Sequence, residues 1–416
     1  MSSRRTSKKR YIILILGMLT AIGPFSIDMY LPAFPDIATS LHSDIAHVML
    51  SLSSFFIGIS VGQLVYGPLL ERYGRKKPLY VGICIYLLAS IGCALAGSVN
   101  ALIAFRLLQA LGGCAGMVAA RAIVRDLFEV RENAKIFSTL MLVVAVSPII
   151  APTLGGYITA TLGWRYVFVM LIIVALIILA GIYLLLPESK KPDPNFSLKP
   201  APIIKNFAGV IRHPQFYTYA LTGAAGYAGL SAYISGSPHV FMEVFQVSEK
   251  QYGWIFALLA MGLITASQIN NLLLRNYSSP QIIKIALICQ SIVGLALAGI
   301  TLAGWGDLFI TIFLIFLFLS CQGFLFPNAS ALSLAKFGHN AGSASALMGA
   351  IQMSIGAGAS ALVSVLQNPT PLPMAGVMAC SPIVAFCIFT WGRKIIIHRA
   401  TKAAVAQEEV EMISTL

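Results

Sequence analysis

Long apolar runs alternate with short polar segments from one end of the chain to the other. Twelve runs reach spanning length, near 11–31, 47–70, 78–98, 101–122, 136–160, 164–186, 215–240, 252–273, 281–303, 308–332, 342–366 and 373–392. A helix rises about 1.5 Å per residue, so roughly 20 apolar residues cross a hydrocarbon core of ~30 Å. Most runs exceed that minimum, which predicts tilted helices. The longest polar interruption, PESKKPDPNFSLKPAPIIKNFAGVIRHP, follows Leu186 and is rich in Pro and Lys. It is too short for a soluble domain, and it divides the spans six and six. Within it, Ile203 to Ile211 predicts a short helix lying at the membrane surface. The chain therefore divides into an N-terminal bundle (1–186), a central loop (187–212), a C-terminal bundle (213–394) and a tail (395–416). Each half begins with a span ending in a Pro-containing segment, LPAFP (31–35) and SGSPHVF (235–241). The fold class is an all-α polytopic membrane protein of two six-helix bundles, the layout of a transporter that rocks about a site between its halves.

Composition agrees. Hydrophobic residues make up 58% of the chain and charged residues 10%, against about 25% charged in soluble domains. The net charge of +13 does not mark a nucleic-acid surface, because of where the charges lie. Of the 28 Lys and Arg, 25 fall in segments 1–10, 71–78, 121–135, 187–212, 274–284, 333–341 and 392–402. Arg165 and Lys250 fall in the alternate set, and Arg106 lies inside a span. That bias places both termini in the cytoplasm and requires an even number of spans. A bacterial inner membrane is the expected location. The basic N-terminus leads into a run long enough to span, so it reads as an uncleaved first helix. All seven cysteines sit in apolar runs without metal-site spacing, which predicts small core residues and no disulfide framework. No P-loop, Ser–His–Asp set, HExxH or Gly-rich nucleotide motif occurs, so neither an enzyme nor a cofactor is expected.

One residue in the first run is out of place. Asp28 is an acid within YIILILGMLTAIGPFSIDMYL, and an ionised Asp near mid-helix costs roughly 2.5–3.5 kcal/mol on insertion scales. Such a residue faces the protein interior and commonly carries or binds something. Arg106, near the outer start of the fourth span, falls at a similar depth by helix rise. A nearby arginine favours a carboxylate while burial favours the neutral acid. A modest rearrangement would then let Asp28 take up and release a proton, or the two would form a static ion pair. His239, after Pro238, stands where a histidine can sense pH or simply sit at the interface.

The segment after the second span reads GPLLERYGRKKPL. Gly67 suits close helix approach, Gly74 suits a tight turn, and Glu71, Arg72 and Arg75 can pair at the helix end. Positive-inside topology accounts for the charges here but not for the spacing. This segment resembles the signature of the major facilitator superfamily. RLLQALG (106–112) looks like that family's arginine motif, and SPIIAPTLGG (147–156) like its antiporter motif. SIDMYLPAFP (26–35), AARAIVRDLF (119–128), FPNASALSLA (326–335) and GSASALMGAIQ (342–352) are similar to the bicyclomycin-resistance (Bcr/CflA) branch of drug–proton antiporters. Glu71 stands where Asp is usual, and Ala151 where many members have Gly.

The resemblance implies proton-coupled export of small amphipathic compounds by alternating access, with Asp28 and Arg106 in proton coupling. It implies conformational roles for Gly67, Glu71, Arg72, Gly74 and Arg75. In the fifth span it implies a leak-limiting gate at Pro152, Gly155 and Gly156. The residues alone also allow a merely kinked packing helix there, since Pro148 and Pro152 each remove a backbone bond. The first span's single acid gives no support for a preference for lipophilic cations. Candidate cavity residues are the polar groups inside spans: Tyr30, Gln63, Gln109, Tyr227, Tyr233, Gln268, Asn270, Asn271, Gln322, Asn328 and Gln352. Of these Tyr30, Gln109, Asn328 and Gln352 are chosen as substrate-binding. Adaptable Phe25, Met29, Phe55, Met117 and Met348 lie nearby. The partners are substrate, protons and the bilayer, and a monomer is expected. A proton-coupled importer or exporter of one metabolite (an amino acid, a nucleoside or a siderophore) is the alternative on the same fold.

Overall fold

Capping residues stand where the apolar runs begin. The Asp44 carboxylate accepts from the His47 amide at 2.6 Å, Ser98 from Ala101 at 3.3 Å and Asp307 from Ile310 at 2.7 Å. Ser248 with Gln251, and Ser278 with Gln281, form capping boxes. Each satisfies amides that the first turn of a helix leaves without partners. The computed structural model describes residues 2–128, 130–194, 196–337 and 341–414. These form fourteen α-helices: α1 (Ser2–Asp28), α2 (Phe34–Ser40), α3 (Ile45–Tyr73), α4 (Lys76–Ala94), α5 (Val99–Leu127), α6 (Val130–Leu162), α7 (Arg165–Leu184), α8 (Pro200–Ile211), α9 (Pro214–Pro238), α10 (Glu249–Leu273), α11 (Ser279–Leu302), α12 (Leu308–Leu334), α13 (Ala341–Val365) and α14 (Leu372–Ser414). No strand occurs among the described residues.

Eleven helical stretches among the described residues are long and apolar enough to cross a membrane, making this a multi-pass membrane protein. The place of the seventh predicted span is filled by α9, 25 residues long but rich in Gly, Ser, Thr and Tyr. Most of α9 is buried, so its polar groups meet protein rather than lipid. The short helix predicted in the central loop is α8.

Three segments differ from the sequence expectation. The first span is not one helix. It ends at Asp28, and a 3-10 turn, Leu31–Ala33, leads into α2. Pro32 and Pro35 cannot donate the backbone bonds that a continuous helix needs. The stretch between the first two predicted spans is therefore mostly helix. At the other end, α14 runs unbroken past residue 395 to Ser414, and residues 415–416 lie outside the described set.

In the N-terminal half α5 packs on α1, α3 and α4, with α6 and α7 outside them; in the C-terminal half α9, α12 and α14 are central. The halves meet along two helix pairs, α3 on α13 and α6 on α10. The lysine- and arginine-rich loops share one face of the molecule, here the basic face; the opposite one is the neutral face. The seam is tight toward the neutral face. There Ser364 Oγ donates to the Ala46 carbonyl at 2.5 Å, Ser53 Oγ to Ser360 Oγ at 2.8 Å, and Ser360 Oγ to Ser235 Oγ at 2.9 Å. Midway along α3, Ser60 Oγ donates to the Ala350 carbonyl at 2.9 Å. Toward the basic face the same helices part around a cavity of about 540 Å³, bordered by Gly67, Arg75, Arg125, Asn206 and Ser343.

Candidate functional site

The break after α1 sets the site. Asp28 is the last residue of that helix and is buried, and its carboxylate has no hydrogen bond or ion pair among the described residues. Tyr227 and Tyr233 on α9 and Tyr252 on α10, across the seam, lie within electrostatic reach of it. Tyr252 is tied to Ser237 at 2.8 Å, whereas the Tyr233 hydroxyl is buried without a partner among the described residues. The acid thus lies near tyrosines of the opposite half of the molecule.

Arg106 does not join it. The guanidinium is fully buried on α5, and Nη1 donates to Gln109 Oε1 at 2.6 Å. It lies over two rings, 4.5 Å from the Tyr30 centroid and 4.1 Å from that of Phe55, an arrangement that stabilises a desolvated cation. Nε and Nη2 have no partner among the described residues. Gln109 Nε2 continues to Ser90 Oγ at 2.7 Å, Ser90 Oγ donates to the Tyr86 carbonyl, and the Tyr86 hydroxyl meets Ser26 Oγ at 2.7 Å. This network ties α5, α4 and α1 within one half. The possibility of an Asp28–Arg106 pair is corrected accordingly: matching depth did not fix the direction in which each side chain points. Ser26, Ser90 and Tyr86 were not singled out from sequence, because a serine in an apolar span usually satisfies itself on its own helix.

The four residues chosen for substrate lie apart. Tyr30 and Gln109 belong to the Arg106 network, Tyr30 also bonding Ser51 at 2.8 Å. Asn328 is buried on α12, where Nδ2 donates to Asn270 Oδ1 at 2.6 Å and to the Phe324 carbonyl. Gln352 is buried on α13. A second amide pair, Gln290 with Gln322 at 3.2 Å, lies in the C-terminal half with Gln290 Oε1 and Gln322 Nε2 unpaired among the described residues.

At the basic face, Gly74 adopts φ +81° in the turn between α3 and α4, a conformation that favours glycine. Gly67 does not mediate close helix contact: a methyl group there would meet nothing within 4 Å, because the residue borders the cavity. The close approaches of α3 to α5 occur instead at Gly58 and Gly62. Arg75 is nearly buried and bonds Asp126 through Nε at 2.7 Å and Glu71 through Nη1 at 3.0 Å. Burial works against its charge, but Asp126 and Glu71 outweigh it and hold the guanidinium above its ordinary range. The central linker completes the cluster. The Glu188 carboxylate accepts the Arg75 amide at 2.7 Å, Lys190 pairs with Glu71, and Arg72 donates to the Phe196 carbonyl at 3.2 Å.

The α6 segment lies against both halves. A methyl on Gly155 would fall 2.1 Å from the Met29 carbonyl oxygen, and one on Gly156 2.4 Å from that of Glu249. Opposite them, a methyl on Gly253 of α10 would fall 2.9 Å from the Pro152 carbonyl oxygen. The glycines of α6 are thus the surface on which the Asp28 turn and α10 rest.

The Major Facilitator Superfamily profile matches residues 16–361. Among curated proteins, the chain is 34% identical to an uncharacterized MFS-type transporter, YdgK, of Bacillus subtilis (strain 168), over 92% of this chain and 96% of that one. It is 29% identical to a bicyclomycin resistance protein homolog of Haemophilus influenzae, over 90% and 94%. Among solved structures, it superposes on a D-xylose-proton symporter with a TM-score of 0.71 at 14% identity, covering 91% of this chain and 96% of that chain, a likeness of fold.

Proposed function

The chain belongs to the Major Facilitator Superfamily, and from that premise we propose that it exports small amphipathic compounds across the bacterial inner membrane in exchange for protons. On this reading the basic face lies in the cytoplasm together with both termini, following the 25 of 28 Lys and Arg in the loops on that side. The neutral face, where the seam is tight, is then the outer one. The chain works as a monomer, its two halves rocking to expose the site to each side in turn.

The observation that carries the reading is Asp28, buried at the helix break without a partner among the described residues and within electrostatic reach of tyrosines of the other half. An acid without a fixed cation can be neutral in one state and charged in another as the halves move. Asp28 takes a proton from outside as substrate leaves, and returns it inside. Arg106, held by Gln109, Tyr30 and Phe55, keeps its charge in the same half and favours release when rearrangement brings it nearer. The bicyclomycin resistance protein homolog supports an amphipathic antibiotic as cargo.

The test is efflux of an antibiotic panel from cells lacking their main exporters, followed by transport in proteoliposomes under an imposed pH gradient. Asp28→Asn keeps size and hydrogen bonding but cannot titrate. It should insert normally and lose uphill export. Full gradient-driven export by Asp28→Asn would remove Asp28 as the carrier. Growth on one nutrient that changes with expression, with no compound exported, would favour a metabolite transporter.

A further inference from the structure

We propose that His239 and Glu243 form a clamp at the outer mouth that is closed by a single proton. The inference rests on the neutral face being the outer one. Helix α9 ends at Pro238, and His239–Val244 continue as one π-helical turn, with the Phe245 amide on the Val240 carbonyl at 3.0 Å. Such turns are rare and concentrate at functional positions. The turn aims the His239 ring at two acceptors. Nδ1 lies 2.6 Å from Glu243 Oε2, and Nε2 lies 3.0 Å from the main-chain carbonyl of Asn368.

These two contacts set the proton count. A carbonyl oxygen only accepts, and a neutral imidazole has one N–H. With Nε2–H on Asn368, Nδ1 is a lone pair facing a carboxylate. Both bonds form only if the pair holds one more proton, on the imidazole or on the Glu243 carboxyl. Removing that proton breaks one bond and sets two lone pairs against each other. Asp44, across the mouth on the N-terminal half, is the other charged residue lining it among the described residues, and its carboxylate caps α3. On α10, which also packs on the turn, Lys250 lies over Tyr157 and Glu249 acts on Asp36.

The clamp joins the two parts of the C-terminal half that make the outer seal. The His239 turn packs on α2 of the other half. Asn368 follows α13, whose Ser360 and Ser364 bond α3. A mouth of about 700 Å³ lies beside the ring, bordered by Thr39, Ser43 and Asp44 on one side and Glu243 and Asn368 on the other. Protons therefore arrive from the outer medium. Acid outside fastens the seal, in the same step in which Asp28 is loaded and the outer side closes.

The experiment measures the distance between spin labels at Leu95→Cys and Trp305→Cys, exposed positions on the outer loops of the two halves. The full-length protein, free of its native cysteines, is studied in lipid nanodiscs between about pH 5 and 8. Asp28→Asn removes the other proton site. In that background the short-distance population should still grow as pH falls. His239→Phe removes both bonds and should leave the long distance dominant at every pH. Glu243→Gln should do the opposite, because the amide donates to Nδ1 without an added proton, giving the short distance at every pH. No pH response in the Asp28→Asn background, or a response that both substitutions leave unchanged, overturns the clamp. The readout needs no substrate and no transport, so it stands or falls separately from the export reading.

Discussion

Gly155 rests against the carbonyl of Met29, so closely that a single added methyl would fall 2.1 Å from that oxygen. Met29 is the residue after Asp28. The α6 glycines and the buried acid are therefore one piece of structure: the helix break can sit where it does only because α6 offers no side chain at that point. Gly155→Ala should push the turn away from α6, at a cost of about 1–3 kcal/mol to the packed arrangement. A cysteine at Ser43, beside the mouth at the neutral face, should then react faster with an impermeant thiol reagent, and export should fall. Unchanged labelling together with unchanged export would mean that α6 gives way there without consequence.

The hydroxyl chain Ser53–Ser360–Ser235 crosses the seam. Ser360→Ala removes its middle member and leaves two buried hydroxyls short of a partner, which costs about 1–2 kcal/mol. The ratio of outer-closed to outer-open molecules should fall roughly 5–30-fold. Interhalf distance measurements on the variant read this directly, and an unaltered distribution would show that the chain does not hold the seam.

Arg75→Ala removes one charged partner from Asp126 and one from Glu71, which keeps Lys190, and leaves the main-chain amide that Glu188 holds in place. Losing these two contacts, which water partly reaches, costs about 1–3 kcal/mol. Substrate binding should be nearly unchanged while turnover slows, because the cluster lies at the basic face, away from Asp28. A large loss of equilibrium affinity with normal turnover would contradict that separation.

Orientation is checked with single cysteines at Ser43 and Ser197 in a cysteine-free background. Ser43 should label from outside the cell and Ser197 only after the membrane is made permeable. Labelling of both from one side would reverse the assignment of the two faces.

The helices were legible in the sequence because a bilayer demands runs of fixed length, and caps such as Asp44 and Ser248 sit where those runs begin. The seventh was legible from its place between the central loop and SGSPHVF, although its Gly, Ser and Tyr content hides it from a hydropathy window. The turn at Gly74 was legible for a local reason, since φ there is set by neighbours in the chain. Relations between side chains were less so. The depth of Arg106 follows from helix rise, but its rotation toward Tyr30 and Phe55 depends on packing against α1 and α3. Gly67 illustrates the same limit: a small residue serves a close contact or an open space equally well, and only the position of α13 decides which.

The two faces are fastened by different chemistry. Uncharged serine hydroxyls and bare glycine backbone dominate the seam near the neutral face, whereas Arg75, Asp126, Glu71 and Lys190 bind the linker at the other. Dissolved ions shield the second kind of contact where water reaches it and leave the first nearly untouched. Ionic strength is therefore a one-sided handle on this molecule. Salt at the basic face should free the linker and quicken the slow steps made there, while the serine and glycine contacts of the seam keep their strength in fresh water and brine alike.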